Sequence, residues 1–212
     1  MRTDPPFQAL IFDAGGVFVP HDNEALMARL AGRCSAEGAL GRIRAAHHDP
    51  RVGAGEIAVS DVHRRLTDEL GYDGDWQAFL EDWSSHLGVD PKMLALMTAL
   101  AGQNRVLVFS NTNAEHWARV AEMCGDALDP FELYLSHEIG AVKPDLVAFA
   151  RVAQRAGLEP GRCLFIDDMA ENVEAARRAG FRAEQFTGQA ALESLLETRG
   201  VRWTRQSEET LA

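Results

Sequence analysis

Short apolar runs alternate with stretches of helical periodicity from residue 90 to near the end of the chain. Runs of four or five apolar residues are typical of strands that are buried on both faces of a sheet. Apolar positions that recur every three or four residues are typical of helices packed against such a sheet. This alternation predicts an α/β fold with a parallel sheet and right-handed crossovers. Strands are predicted at 8–12, 106–109, 133–135, 163–166 and 182–186, and helices at 91–100, 114–124, 144–156, 171–179 and 190–197.

The segment between the first two predicted strands has a different pattern. Helical spacing of apolar residues recurs from 25 to 31, from 62 to 70 and from 76 to 87, without an intervening strand pattern. We therefore predict a core domain of residues 1–19 and 89–212, with an all-helical domain of residues 20–88 inserted into it. Residues 202–212 are polar and are expected to fray.

Polar side chains follow three of the predicted strands. Asp13 comes directly after the first strand, Ser110 after the second, and Asp167 and Asp168 after the fourth. Parallel strands end at one edge of a sheet, and open α/β sheets bind their ligands at that edge. The sequence therefore predicts that these side chains form one functional site.

Asp13 opens the motif Asp13-Ala14-Gly15-Gly16. A carboxylate can attack phosphorus as a covalent nucleophile and form an aspartyl phosphate, which water then hydrolyses. The two glycines permit a tight turn whose amides approach a phosphate closely. The same residues also suit a simple turn that Asp13 caps, so this motif alone leaves both interpretations open.

Asp167 and Asp168 are adjacent carboxylates at the end of an apolar strand. Two such charges repel each other unless a cation or hydrogen-bond donors compensate them. Mg²⁺ is commonly bound by one or two carboxylates together with waters and a substrate phosphate. Asn172 follows one helical turn later and can turn its amide toward the same pocket. A solvated turn that caps the next helix is the alternative, and the apolar strand favours the metal site.

Lys143, Ser110 and Asn111 are the predicted phosphate-binding residues. Lys143 lies in a loop before Pro144, where its ammonium can neutralise both a nucleophilic carboxylate and an incoming phosphate. A single lysine is more commonly a solvated surface residue. Ser110 and Asn111 offer a hydroxyl and amides to phosphate oxygens, and they can equally cap the helix that follows.

Taken in order, these motifs resemble those of the haloacid dehalogenase-like hydrolase superfamily, and the resemblance covers nearly the whole chain. It implies a Rossmann-like parallel sheet with a small α-helical cap, which the insert at 20–88 matches. It also implies that Asp13 is the nucleophile and a Mg²⁺ ligand, that Ser110 binds phosphate and that Lys143 steadies the charge. By the same resemblance Asp168 binds Mg²⁺, and Asp167 assists directly or through water.

Gly15 departs from the pattern of most phosphatases in this superfamily, which carry a second Asp two residues after the nucleophile. The carbonyl of Gly15 can still ligate Mg²⁺, but glycine cannot act as the general acid and base. That help is worth about two to four orders of magnitude in rate. The sequence resembles a subgroup of sugar-phosphate phosphatases that share this glycine. His21 and Asp22 are the nearest substitute donors, although Asp22 can equally cap the first helix of the insert.

Composition and charge limit the classes of binding partner and the location that we expect for this protein. The chain has 212 residues, and its formal net charge of −11 argues against nucleic acid and anionic membranes. No apolar run is long enough for a transmembrane helix. Cys34, Cys124 and Cys163 include no Cys-x-x-Cys pair, and residues 4–6 are Asp-Pro-Pro where a signal peptide would be apolar. We therefore expect a cytoplasmic protein, with an oligomeric state that the sequence does not reveal.

The leading hypothesis is a Mg²⁺-dependent phosphatase that acts on a small phosphorylated metabolite, such as a sugar phosphate. One alternative is a 2-haloacid dehalogenase, whose carboxylate attacks carbon without a metal; the paired Asp167 and Asp168 argue against it. A protein that binds phosphorylated metabolites without turnover is the other alternative, and Gly15 is its best support. Polar residues of the insert, including His47, His48, Asp49 and Arg51, contact either substrate or solvent.

Overall fold

A computed structural model describes residues 5–204 and contains one parallel five-stranded sheet. The sheet order is third, second, first, fourth and fifth strand, so the first strand lies at its centre. The predicted α/β fold is thereby confirmed. The strands are β1 (Ala9–Phe12), β2 (Val106–Ser110), β3 (Glu132–Leu135), β4 (Cys163–Asp167) and β5 (Arg182–Gln185).

Helices cover both faces of this sheet because its central strands are apolar on both sides. Successive residues of β1 alternate between two hydrophobic clusters, with Leu10 and Phe12 in one and Ala9 and Ile11 in the other. The core helices are α6 (Pro91–Ala101), α7 (Ala114–Cys124), α8 (Ser136–Ile139), α9 (Leu146–Ala156), α10 (Ala170–Arg178) and α11 (Gln189–Thr198), with short 3-10 helices at Gly125–Leu128 and Pro160–Arg162.

The segment from 20 to 88 is helical, as its pattern predicts. Its helices pack around a separate hydrophobic cluster that includes Leu26, Phe79 and Trp83. The domain boundaries at 19/20 and 88/89 remain a prediction. The helices are α1 (Asn23–Ala31), α2 (Ala39–His47), α3 (Pro50–Gly53), α4 (Val59–Leu70) and α5 (Trp76–Ser84).

Two local features differ from the sequence prediction. Helix α9 begins at Leu146 instead of residue 144, because the Asp145 side chain accepts a hydrogen bond from Val147 N and caps the helix there. Helices α2, α3 and α8 were not predicted, since each buries only one or two side chains and shows no long apolar stripe. Most of the segment expected to fray, 202–212, lies outside the described residues.

The three cysteines form no disulfide in the part of the chain that the structure describes. Cys34, Cys124 and Cys163 are free thiols, and Cys163 is fully buried in β4. Within residues 5–204, no helix is both long and apolar enough to cross a bilayer.

Candidate active site

Asp13 lies where the central strand β1 meets the glycine turn, and it is 7% exposed. Its Oδ1 accepts hydrogen bonds from Ala14 N at 2.7 Å and pairs with Lys143 Nζ at 2.8 Å. Burial raises the pKa of Asp13 to about 6, against the opposing effect of Lys143 and with a further upward contribution from Asp167. The carboxylate is therefore held in a fixed orientation, and the one ammonium beside it, that of Lys143, is shared with Asp167.

Lys143 is buried at the centre of the site. Its Nζ donates to Phe109 O at 2.9 Å and pairs with Asp13 Oδ1 and Asp167 Oδ2, the latter at 2.7 Å. Burial alone would lower the pKa of Lys143, but the two carboxylates outweigh it and raise the pKa. The lysine is consequently a charged, fixed ammonium shared by two carboxylates.

Asn111 fixes the loop that carries Lys143. Its Oδ1 accepts from Lys143 N at 2.8 Å and its Nδ2 donates to Lys143 O at 2.7 Å. Because both ends of the amide are used in this way, phosphate binding by Asn111 would depend on its backbone N–H. Ser110 is buried at the end of β2 and lies beside it in the same cavity wall.

Asp167 and Asp168 have different surroundings although they are adjacent. Asp167 is fully buried, and its oxygens accept from Asn172 Nδ2 at 3.0 and 3.1 Å, from Met169 N and from Lys143. Asp168 is half-buried, and burial together with the charge of Asp167 raises its pKa. Asp167 is thus satisfied by protein donors, whereas Asp168 remains available to a ligand.

The glycine turn brings Asp168 close to the backbone of residue 16. Gly16 has φ +68°, and a Cβ built on it would lie 2.1 Å from Asp168 Oδ2. A side chain here would be strained and would collide with the carboxylate. The turn is closed by Gly16 N donating to Val19 O at 3.1 Å and Val19 N donating to Ala14 O at 2.9 Å.

His21 fills the space beside Gly15. A Cβ built on Gly15 would lie 3.3 Å from His21 Cε1 and 3.6 Å from His21 Nδ1. The carboxylate of Asp22 instead accepts from Ala25 N at 2.9 Å and caps helix α1. Of the two candidate donors, His21 faces the site and Asp22 serves as a helix cap.

The charges of the site do not balance. One oxygen from each of Asp13, Asp167 and Asp168 lies within 4.8 Å of the others, and Lys143 is the ammonium among them. Three carboxylates against one ammonium leave an excess of negative charge in a partly buried place. Such an oxygen-rich cluster fits a hard divalent cation.

A cavity of about 150 Å³ adjoins this cluster between the core and the helical insert. Gly15 and Ser110 form part of its wall, and four histidines are among the other lining residues: His21, His47, His86 and His116. His86 and His116 were not anticipated from the sequence, because the histidines come from separate elements and share no spacing. Asp13, Ser110, Lys143, Asp167, Asp168 and Asn172 are the predicted site residues that the structure brings together at the sheet edge.

The parallel sheet carries a carboxylate cluster at its C-terminal edge, the edge at which open α/β sheets bind their ligands. The chain belongs to the haloacid dehalogenase-like hydrolase family, whose model matches residues 7–180. The family resemblance of the sequence motifs is confirmed by this match.

Relatives and solved structures agree with this membership. The chain is 26% identical over 185 residues to D-ribitol-5-phosphate phosphatase from Bacteroides thetaiotaomicron, covering 83% of this chain and 90% of that protein. A family enzyme from the same organism, solved with magnesium and inorganic phosphate, has a TM-score of 0.76 at 24% identity, covering 86% and 96% of the two chains. L-2-haloacid dehalogenase from Xanthobacter autotrophicus has a TM-score of 0.59 at 20% identity, covering 91% and 83%. Both structural likenesses show the shared fold.

Proposed function

We propose that the protein is a Mg²⁺-dependent phosphatase that hydrolyses a small phosphorylated metabolite through an aspartyl phosphate on Asp13. The observation that carries the proposal is the unbalanced carboxylate cluster around one buried ammonium. A dehalogenase needs no cation, so an excess of carboxylates at its site would destabilise the folded protein without contributing to the reaction. A phosphatase needs that excess to hold the cation and thereby the phosphate.

In the proposed reaction a carboxylate oxygen of Asp13 attacks the phosphorus, while Lys143 and Ala14 N hold the carboxylate in place through Oδ1. The bond between phosphorus and the ester oxygen breaks, and the alcohol leaves. Water then attacks the phosphorus of the aspartyl phosphate, the bond to Asp13 breaks, and phosphate leaves. Lys143 and Ser110 stabilise the phosphoryl oxygens during both steps.

The proposed cation ligands are Asp13, Asp168 and the carbonyl of Gly15. When bound, Mg²⁺ would neutralise the carboxylates and the phosphate charge, so that the two anions can approach. Asp167 and Asn172 act as supports, because they hold each other and Lys143 in place. This assignment agrees with the half-buried position of Asp168 and the full burial of Asp167.

His21 is the proposed proton carrier in place of the missing acid at Gly15. Its ring lies where a side chain of residue 15 would project, and it lines the cavity that adjoins Ser110. In the first step His21 would donate a proton to the leaving oxygen, and in the second it would accept one from water. The named relative D-ribitol-5-phosphate phosphatase supports a sugar or polyol phosphate as substrate.

The test is phosphate release from p-nitrophenyl phosphate with Mg²⁺ and after exhaustive chelation. We expect turnover with Mg²⁺ and none after chelation, with recovery when Mg²⁺ is restored. Turnover that survives chelation would refute the proposed metal. Release of halide from a 2-haloacid without phosphate release would establish the dehalogenase alternative, and absence of both, with phosphate bound, would establish a binding protein.

A further inference from the structure

Ser136 links the helical insert to the loop that follows β2. The residue is fully buried at the start of α8. Its Oγ accepts from Thr112 N at 2.9 Å, and Thr112 comes directly after the proposed phosphate-binding residues of that loop. The same oxygen lies 2.6 Å from Gly53 O in the insert and 3.0 Å from Thr112 O. One buried hydroxyl therefore contacts both the insert and the phosphate-binding loop.

The hydroxyl of Ser136 has one proton and two carbonyl neighbours. A serine hydroxyl donates one hydrogen bond, and both Gly53 O and Thr112 O are acceptors. The two carbonyls therefore compete for the proton, and the shorter distance favours Gly53 O while the insert is docked. If the insert moved away, the proton would turn to Thr112 O, because buried hydroxyls are hydrogen-bonded in native proteins. The hydrogen bonds of Thr112 thus depend on the position of the insert.

Two glycines let the insert approach the core this closely. Gly55 has φ +74°, and a Cβ built on it would lie 2.6 Å from the carbonyl oxygen of His137 in α8. A Cβ built on Gly53 would lie 3.1 Å from Val142 Cγ1. A side chain at Gly55 would have to push the two backbones apart. The contact therefore packs the backbone of the insert directly on the backbone of the core.

The docking segment, residues 53–57, is separate from the cavity that adjoins the carboxylate cluster. Among the described residues, the cavity lining includes the loop at 110–112 and no residue of the docking segment. The amides of residues 54–57 donate to carbonyls of α3 at 2.8 to 3.1 Å. An effect of phosphate on these amides therefore has to pass through the contacts between the core and the insert.

We propose that Ser136 is a positioning residue that couples docking of residues 53–57 to the geometry of the phosphate-binding loop at 110–112. A hydroxyl that donates a hydrogen bond becomes a better acceptor, so the bond to Gly53 O strengthens the hold of Ser136 on Thr112 N. Because coupling between two equilibria is reciprocal, phosphate bound at the loop also favours docking of the insert. This inference rests on the proposed function, because it takes the loop at 110–112 as the phosphate site.

The first test measures amide exchange of the docking segment in the whole protein. Hydrogen exchange is recorded with Mg²⁺ present, with and without saturating inorganic phosphate, whose binding is followed by calorimetric titration. We expect phosphate to slow exchange of the amides at 54–57 by about threefold or more in the wild type, and to leave it unchanged in Ser136→Ala. Bound phosphate that leaves wild-type exchange unchanged, or slows exchange equally in Ser136→Ala, would overturn the inference.

The second test separates positioning from a merely structural role. Ser136→Ala should raise KM for p-nitrophenyl phosphate and the inhibition constant of inorganic phosphate together by about three- to tenfold, with kcat within about twofold of wild type. Loss of stability alone would lower the amount of folded enzyme and leave both constants unchanged. Ser85→Ala is the matched control and should keep both constants, because the Ser85 hydroxyl donates to Asp82 O at 2.8 Å, a carbonyl of the same insert. Unchanged constants in folded Ser136→Ala would contradict the proposal.

Two glycines of the insert give a test that leaves Ser136 in place. Gly55→Ala sets a methyl group against the backbone of α8, so KM and the phosphate inhibition constant should rise as in Ser136→Ala. Gly38→Ala is the matched control, because Gly38 has a similar φ of +72° and a Cβ built on it meets no described heavy atom within 4 Å. Both variants carry the same left-handed strain, and only Gly55→Ala should change the two constants. Equal changes in both variants, or none in Gly55→Ala, would count against the coupling.

Phosphate binding and turnover separate this inference from the function on which it rests. Turnover of p-nitrophenyl phosphate, with amide exchange at 54–57 that does not respond to bound phosphate, would remove the coupling and leave the phosphatase intact. Absence of both phosphate binding and turnover would remove the phosphatase proposal and, with it, the role of Ser136.

Discussion

Two buried carboxylates in this molecule, Asp82 in the helical insert and Asp13 at the sheet edge, have opposite charge surroundings. Asp82 is 2% exposed and accepts from Arg29, from Arg33 at 3.0 Å and from Tyr72 OH at 2.8 Å. Burial opposes its ionisation, but these donors hold the pKa of Asp82 below its usual value. Asp13 shares its one ammonium with Asp167, and its pKa is raised.

The difference separates a structural ion network from a ligand-binding one. Two guanidiniums and a phenol satisfy one carboxylate in the insert, so that network needs nothing further. At the sheet edge, three carboxylates lie together with one ammonium, which pairs with Asp13 and Asp167, so the cluster keeps an excess of negative charge. A buried network that is short of positive charge costs stability unless a ligand restores the balance. We therefore attribute function to the second network and stability to the first.

Replacement of the proposed nucleophile should have the largest effect. Asp13→Asn removes the attacking carboxylate, and we expect kcat on p-nitrophenyl phosphate to fall by at least about a thousandfold. The circular dichroism spectrum should remain that of the wild type, because the amide fits the same space. Activity near the wild-type level in Asp13→Asn would refute a covalent mechanism on this residue.

The same substitution should stabilise the metal-free protein, with a definite pH dependence. Because the folded-state pKa of Asp13, about 6, lies above its ordinary value of 3.8, the charged form costs folding free energy above pH 6. Asp13→Asn removes that cost, a gain on the order of 1–3 kcal/mol at pH 7.5. As the pH falls from 6 toward 4, wild-type Asp13 takes up its proton and the gain should disappear. Urea denaturation at pH 7.5 and pH 4.5 measures the difference in free energy of unfolding between Asp13→Asn and the wild type. A difference that is larger at pH 4.5 than at pH 7.5 would contradict the predicted pH dependence.

Asp82→Asn should lower stability and leave activity unchanged, whereas Asp13→Asn should abolish activity and raise stability. The loss of charge-assisted hydrogen bonds from Arg29, Arg33 and Tyr72 should lower the free energy of unfolding by about 2 kcal/mol, while kcat of the folded enzyme stays near wild type. Asp73→Asn is the matched control, because Asp73 also pairs with Arg33 but is 70% exposed. Its effect should stay below about 1 kcal/mol. Equal losses in the two variants would show that burial of Asp82 does not matter.

His21→Gln should have the smallest effect on an aryl ester and a larger one on alkyl esters. Poor leaving groups need a proton more than good ones, so loss of the donor should steepen the dependence of kcat/KM on leaving-group pKa. We expect at least about a tenfold greater loss for alkyl than for aryl phosphates. Asp22→Asn should leave the slope unchanged, because Asp22 caps α1. A slope that changes in Asp22→Asn and not in His21→Gln would reverse the assignment.

The sheet and its edge could be predicted because the relevant signals are local. Each central strand is apolar on both faces, and Asp13, Ser110 and Asp167 each stand at a strand end, so parallel topology alone brings them together. The shared use of Lys143 by Asp13 and Asp167 depends on the side-chain packing of a loop, which no spacing reveals.

The histidine cavity and the Asp82 network could not be predicted for the same reason. His47, His86 and His116 come from α2, the segment after α5, and α7, and they meet only when the insert packs on the core. Asp82 stands in an ordinary helical sequence, and its partner Arg29 lies 53 residues away. Contacts between distant elements carry no periodic signal in one sequence.

The most direct test of the central claim is Mg²⁺ binding to the wild type, Asp168→Asn and Asp82→Asn by calorimetric titration. The account predicts one Mg²⁺ site per chain in the wild type, loss of that site in Asp168→Asn, and an unchanged site in Asp82→Asn. Absence of binding to the wild type, or equal binding to Asp168→Asn and the wild type, would contradict the claim that the sheet-edge carboxylates hold the catalytic cation.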